Sequence, residues 1–461
     1  MIPRTPPSVA DRQRSYFRTG ATLALSFRLE QLGKLRDAIA SREAAILEAV
    51  KQDLGRPAEE AYTSEIGIVR AEIDVARKRL AAWARPRKVR TPLLLFPAAS
   101  RIHTEPYGSV LIIAPWNYPF QLAIAPLVGA LAAGNCAVLK PAEAAPHTSR
   151  LVAEMIGATF DPDYVAAVEG GAAETRALLE ERFDYLFFTG GTQVGRIVMS
   201  AAAQHLTPVT LELGGKNPCI VDRDADLEVA ARRIAWGKFI NAGQTCIAPD
   251  FVLAHKAVKP ALLEHLVAAI GKFFGPDPIA SPDYGRIVNE RHFDRLAALL
   301  RDGKAVVGGQ SARPQRYLAP TILDGVSWDA AVMQDEIFGP ILPVLEFEDL
   351  DAAIATLQAR PKPLALYCFS RDRARQDEIL RRVPSGGACI NDTFGQFLNL
   401  RLPFGGVGDS GMGAYHGKAG FDTFSHRKGV VRRATWADPG LRYPPYRTPL
   451  AVLRRVISFL L

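Results

Sequence analysis

Apolar positions recur every third or fourth residue over residues 8–85, as in Leu29-Glu30-Gln31-Leu32-Gly33-Lys34-Leu35 and Ala44-Ala45-Ile46-Leu47-Glu48-Ala49-Val50, with charges between them. That spacing predicts helices that each bury one face. The pattern breaks over 86–106, where proline and basic residues surround Leu93-Leu94-Leu95-Phe96. We read this stretch as a hairpin that leaves the main body to contact another subunit. From 109 onward, short apolar runs alternate with helical segments. Strands are expected at 110–113, 137–139, 165–168, 185–188 and 209–211, and helices at 120–133, 147–158, 173–181 and 193–203. Such alternation predicts a parallel sheet covered on both faces, with right-handed crossovers that keep the strand ends on one edge. A second alternating region follows. It has strands near 251–254, 305–307, 341–346, 364–369 and 387–391, and helices at 225–240, 258–273, 290–301 and 350–359. Two α/β layers in succession, with Glu212 at their junction, predict a two-domain enzyme with its cleft between the layers.

Composition narrows the class. The 461 residues are enough for two or three domains, and 48% hydrophobic with 23% charged residues is ordinary for a soluble globular protein. The five cysteines (Cys136, Cys219, Cys246, Cys368 and Cys389) are odd in number and far apart, which argues for a reducing compartment and against a disulfide framework. There is no CxxC, HExxH or paired His/Cys spacing, which argues against a protein-bound metal. The first thirty residues lack a signal-type apolar core, and no apolar run is long enough to span a bilayer. The formal charge of +8 is concentrated near the C-terminus, where no nucleic-acid module surrounds it. Residues 450, 453, 457 and 460 place apolar side chains on one stripe of a basic terminal helix. It either packs on the protein or touches a membrane surface.

Candidate chemistry sits at the strand ends, where open α/β sheets bind ligands. Asn117, in Pro115-Trp116-Asn117-Tyr118-Pro119, is either a turn residue or an amide donor into a site. Lys140 and Glu143 end the next strand. They serve either a ribose or phosphate, or simply a helix start. Thr189-Gly190-Gly191-Thr192-Gln193-Val194-Gly195 is a glycine-rich strand-to-helix turn of the kind that admits a pyrophosphate, or it is a tight turn only. Glu212, before Gly214-Gly215-Lys216, is a candidate general base or a partner for Lys216. Cys246 follows Asn241-Ala242-Gly243-Gln244-Thr245, a flexible approach unlike that of a routine core cysteine; near a helix N-terminus its thiolate would be stabilised. In Glu336-Ile337-Phe338-Gly339-Pro340, Glu336 can accept from a second ribose and Phe338 can pack against a flat ring.

Seven runs, in order and over nearly the whole chain, resemble the aldehyde dehydrogenase superfamily. They are Pro115-Trp116-Asn117, Lys140-Pro141-Ala142-Glu143, Phe188-Thr189-Gly190, Glu212-Leu213-Gly214-Gly215-Lys216, Gly243-Gln244-Thr245-Cys246, Glu336-Ile337-Phe338-Gly339-Pro340 and Pro403-Phe404-Gly405-Gly406. The stretches Ser410–Lys418 and Phe421–His426 resemble its class 3 branch. The resemblance implies a Rossmann-like cofactor domain (1–85 and 107–211) and a second α/β catalytic domain (212–398). It also implies bridging and oligomerisation elements (86–106 and 399–433), followed by a basic apolar tail (434–461). It further implies NAD(P)-dependent oxidation of medium- or long-chain aliphatic or aromatic aldehydes to acids. In that scheme Cys246 is the nucleophile, Asn117 holds the oxyanion and Glu212 activates water. Trp116, Lys140, Glu143, Gly190, Gly191, Gly195, Leu213, Glu336 and Phe338 bind the cofactor, NAD or NADP, and Tyr118, Phe394 and Phe397 wall the substrate pocket. A homodimer in the cytoplasm, peripheral at the membrane through its tail, completes the expectation. The alternatives are a CoA-acylating dehydrogenase and a catalytically silent structural protein of the same fold.

Overall fold

In a computed structural model of the chain, residues 8–438, 443–446 and 448–460 are described. The amphipathic N-terminal segment forms the helices Val9–Arg18, Leu25–Ser41, Glu43–Leu54 and Gly67–Trp83, with the short turns Ala58–Ala61 and Tyr62–Ile66 between the last two. They pack beside a six-stranded sheet. Strand Ser109–Ile113 lies at the centre between Cys136–Lys140 and Tyr185–Thr189. Val165–Ala167 lies beyond the first of these and Val209–Glu212 beyond the second. These five strands run parallel. The three innermost are buried along their whole length, as two helical covers require. The register pairs Ile113 with both Lys140 and Phe188, and Thr189 with Glu212, so four strands end level on one edge. One departure from an all-parallel sheet is the two-residue strand Gly411–Met412, which caps the Glu212 edge antiparallel.

The second sheet has seven strands, two more than the apolar runs marked. Pro218–Val221 and Thr321–Asp324 supply the additional ones. Five pairings in it are parallel, and Lys304–Val307 joins Thr321–Asp324 antiparallel at one edge. A third sheet stands apart from both. In it Arg87–Val89 and Ser425–Arg433 flank the long strand Ala98–Pro106. Helix Gln121–Ala133 is buried on every side between the first sheet and the segment Gly417–Thr423. It starts four residues after Asn117, so the Asn117 turn is anchored in the deepest part of the core.

Candidate active site

Asn117 is buried just beyond the central strand. Its Nδ2 donates to the Gln244 carbonyl at 3.1 Å, and its own carbonyl accepts from Asn241 Nδ2 at 2.8 Å. The Gln244 side chain is held in turn, with Nε2 donating to the Arg286 carbonyl and Oε1 accepting the Val288 N–H, both at 2.9 Å. An amide nitrogen carries two hydrogens. One fixes the Asn117 plane on Gln244, and the other remains for an oxygen in the adjoining cavity.

The approach to Cys246 is a run of left-handed residues: Asn241 (φ 51°), Ala242 (φ 49°) and Gly243 (φ 75°). Ala pays for that conformation, so the surroundings must impose it. At Gly243 a side chain would run into the Gly339 carbonyl, which brings the Cys246 and Glu336 loops into contact. Cys246 itself lies in the turn after this run and not at a helix N-terminus, so no helix end stabilises its thiolate. Its own N–H and that of Ile247 favour the thiolate. Burial outweighs them, together with the negative charges of Glu336 and Glu212, and raises the thiol above its ordinary range.

Glu212 ends its strand almost fully buried, and both its oxygens lack a hydrogen-bond partner among the described residues. Burial alone pushes its carboxyl well above the usual range. The ion pair with Lys216 does not form. Lys216 pairs instead with Asp250 at 2.6 Å and donates to the carbonyls of Val332 and Asp335. Asp250 also accepts the Ile337 N–H at 3.1 Å, so this pair pins the loop that carries Glu336. An unpaired buried carboxylate costs stability, and a group retained at that cost is a candidate for chemistry.

Two cavities meet at Cys246, and Thr189, Glu212 and Leu213 also line both. The first, of about 280 Å³, is walled by Tyr118, Leu122, Trp236, Ile240, Phe394, Phe397, Phe404 and Tyr415 among others, a predominantly apolar surface. The expected substrate-pocket residues Tyr118, Phe394 and Phe397 therefore all face it. The second, of about 210 Å³, is lined by Trp116, Asn117, Gly190, Gly191, Gly214, Glu336 and Phe338, with His292 and Arg295. It suits a flat, polar cofactor. Phe338 (φ 49°) stands edge-on to Trp116 with centroids 5.2 Å apart. A Cβ at Gly214 would strike the Glu336 carboxylate, so only glycine leaves Glu336 its place. Glu336 is raised to about 8 by burial and Asp250, against the Gly215 N–H and two lysines. Gly191, which caps helix Thr192–Gln204, has open space where a side chain would be. That helix N-terminus offers N–H groups to an anion.

The remaining expected cofactor residues lie outside this cavity's wall. Lys140 is buried at the neighbouring strand end, where its Nζ bonds to the Pro141 carbonyl and stands 3.6 Å from Glu143. Gly195 sits inside the helix, where a Cβ would come within 2.7 Å of Leu213, so it makes room for Leu213 to reach the site. His292, Arg295, Trp236, Gln121 and Tyr415 also reach one cavity or the other. His292 and Arg295 come from an ordinary-looking helical segment, Glu290–Leu299, and no local pattern marks them.

A family model described as the aldehyde dehydrogenase family matches residues 8–430. The chain is 51% identical to the 4,4'-diaponeurosporen-aldehyde dehydrogenase of Staphylococcus aureus (strain NCTC 8325 / PS 47), over 94% of this chain and 95% of that protein. It is 48% identical to human aldehyde dehydrogenase family 3 member B1, over 94% and 93%. Among solved structures, the substrate-bound Staphylococcus aureus AldH superposes with a TM-score of 0.95 at 49% identity, over 97% of this chain and 98% of that one. An indole-3-acetaldehyde dehydrogenase complexed with NAD+ superposes at 0.85 with 26% identity, over 92% and 88%.

Proposed function

The chain belongs to the aldehyde dehydrogenase family, it oxidises aldehydes to carboxylic acids with NAD or NADP, and from that premise we propose how its own residues do so. The carrying observation is that an apolar cavity and a polar one open on the same thiol, with an unpartnered buried carboxylate between them. Once the Cys246 thiol has given its proton to solvent, the thiolate attacks the aldehyde carbon, a C–S bond forms and the carbonyl electrons move to oxygen. Asn117 Nδ2 and the Cys246 N–H hold that oxyanion, and one such donor is typically worth about 3 kcal/mol. Bound NAD(P)+ supplies the hydride acceptor, and Glu336, Trp116, Phe338 and the Gly190-Gly191 turn are the residues that fit it here, with Lys140 and Glu143 at the adenosine end. A thioester on Cys246 remains. Glu212 takes a proton from water, the hydroxide adds, and the C–S bond breaks to return the thiolate and release the acid. A raised carboxyl is suited to this step, because once ionised it is a stronger base.

The mainly apolar wall favours medium- or long-chain aliphatic or aromatic aldehydes. A CoA-acylating reaction would leave Glu212 without a task. The test is initial rates over aldehydes of increasing chain length, with NAD and NADP compared and CoA present or absent. Turnover should rise with chain length, need no CoA, and vanish in Cys246→Ala; normal turnover by that variant would overturn the scheme.

The proposal extends to organisation. Residues 1–85 and 107–211 bind the cofactor, 212–398 carry the nucleophile, and 86–106 with 399–433 bridge subunits in a homodimer. Support comes from the outer strands Gly387–Ile390 and Ser425–Arg433, which among the described residues leave one backbone edge unpaired, and from the apolar outer face of helix Thr192–Gln204, where Ile197 is 62% exposed. The widely separated cysteines support a cytoplasmic setting. No helix among the described residues is long and apolar enough to cross a membrane. Helix Leu450–Leu460 lies against the turn Leu93–Leu95, exposes Leu450, Val452 and Ile457, and carries Arg454 and Arg455, which favours peripheral attachment to an anionic surface.

A further inference from the structure

Behind the Asn117 and Cys246 loops lies a charge triad with no part in the scheme above, its Arg56 and Glu65 fully buried and its Glu60 largely so. The Arg56 guanidinium pairs through Nε with Glu60 at 2.9 Å and through Nη1 with Glu65 at 2.6 Å. Its carbon stands 4.7 Å from the centre of the Tyr118 ring. Each acid spends a second interaction on backbone beside the reacting groups. Glu60 accepts the Asn241 N–H at 3.0 Å, at the first left-handed residue before Cys246, and Glu65 accepts the Gln121 N–H at 2.7 Å, just past Asn117. Tyr118, under the guanidinium, closes the circuit by bonding Thr245 at 2.7 Å, next to Cys246.

A buried triad with one net negative charge is costly, and burial pushes both carboxyls up against the pull of Arg56. What it provides is a common reference for two loops from different sheets. We propose that Glu60, clamped by Arg56, is a positioning residue for aldehyde oxidation: it holds the left-handed turn at Asn241 and so sets the spacing between the Asn117 amide and the Cys246 N–H. This rests on the assignment of Cys246 and Asn117 above. Glu60 acts through the turn and touches neither substrate nor cofactor.

The test compares Glu60→Gln, which keeps an oxygen for the Asn241 N–H, with Glu60→Met, which matches its length and removes the acceptor. Both leave Arg56 and Glu65 as a balanced pair. Read-outs are kcat, KM, the pre-steady-state rate of NADH formation and the unfolding temperature. E60M should lose about tenfold in kcat and in the NADH burst rate, with KM within about twofold, the effect of one lost hydrogen bond to a strained turn. E60Q should stay within about twofold of the parent. Adding Ala242→Gly, which relieves the left-handed strain, should restore most of the E60M loss and also yields a folded protein should E60M alone be unstable. If E60M and E60Q behave alike, or if A242G restores nothing, the positioning role is overturned. Cys246→Ala separates the two failures: inactive C246A with unimpaired E60M rejects this inference alone, whereas active C246A rejects the mechanism beneath it.

Discussion

Glu212 and Cys246 both titrate above their ordinary ranges because burial disfavours their charged forms. For Glu212 the linkage to stability runs one way. A carboxyl raised in the folded state contributes stability that is complete below its unfolded value near 4.5 and is lost as pH rises towards the folded value. Glutamine mimics the protonated acid at every pH. Relative to Glu212→Gln, the parent should therefore lose melting temperature as the pH rises above its unfolded value near 4.5, measured by calorimetry; parallel curves would refute this. In activity the same variant should form one equivalent of NADH rapidly and then stall, with steady-state turnover down by roughly 10²-fold or more. A normal steady state would remove Glu212 as the water activator. The identities of these residues were legible in the sequence, because their flanking glycines and strand ends marked them. Their electrostatics were not. The sequence left a Glu212–Lys216 pair open, and only the fold shows that Asp250 occupies Lys216 and leaves Glu212 alone.

Loops set the geometry, and they are where sequence reading thinned out. The continuous apolar strands were visible because sheets buried on both faces demand them. Pro218–Val221 and Thr321–Asp324 were hidden by brevity, and the first also by the proline at its start. His292 and Arg295 join the site because helix Glu290–Leu299 packs there, a tertiary placement no local pattern encodes. The same loops allow a sharp prediction. Gly214→Ala would push a methyl into the Glu336 carboxylate from the loop after strand Val209–Glu212. We expect the Kd for NAD to weaken about tenfold, by fluorescence titration, with the melting temperature changed by only a few degrees. Unchanged NAD affinity would mean that Glu336 does not face the cofactor.

Across the whole molecule, the tail helix and the outer strands make assembly testable. Removing 448–461 should abolish sedimentation with anionic vesicles and leave turnover of a short soluble aldehyde intact. Equal vesicle binding with and without the tail would end the membrane proposal. Sedimentation velocity should return a species of two chains, and a monomer at micromolar concentration would end the dimer proposal. The meeting of two cavities at one thiol has a kinetic consequence. The apolar cavity has Trp236 and Leu398 exposed at its rim, and the polar one has Gly191, so each has its own way to solvent. Traffic on one side need not wait for the other: spent dinucleotide can be exchanged while the acyl group is still tethered. An aldehyde mimic and a dinucleotide mimic would then occupy one subunit together, each inhibiting without displacing its counterpart.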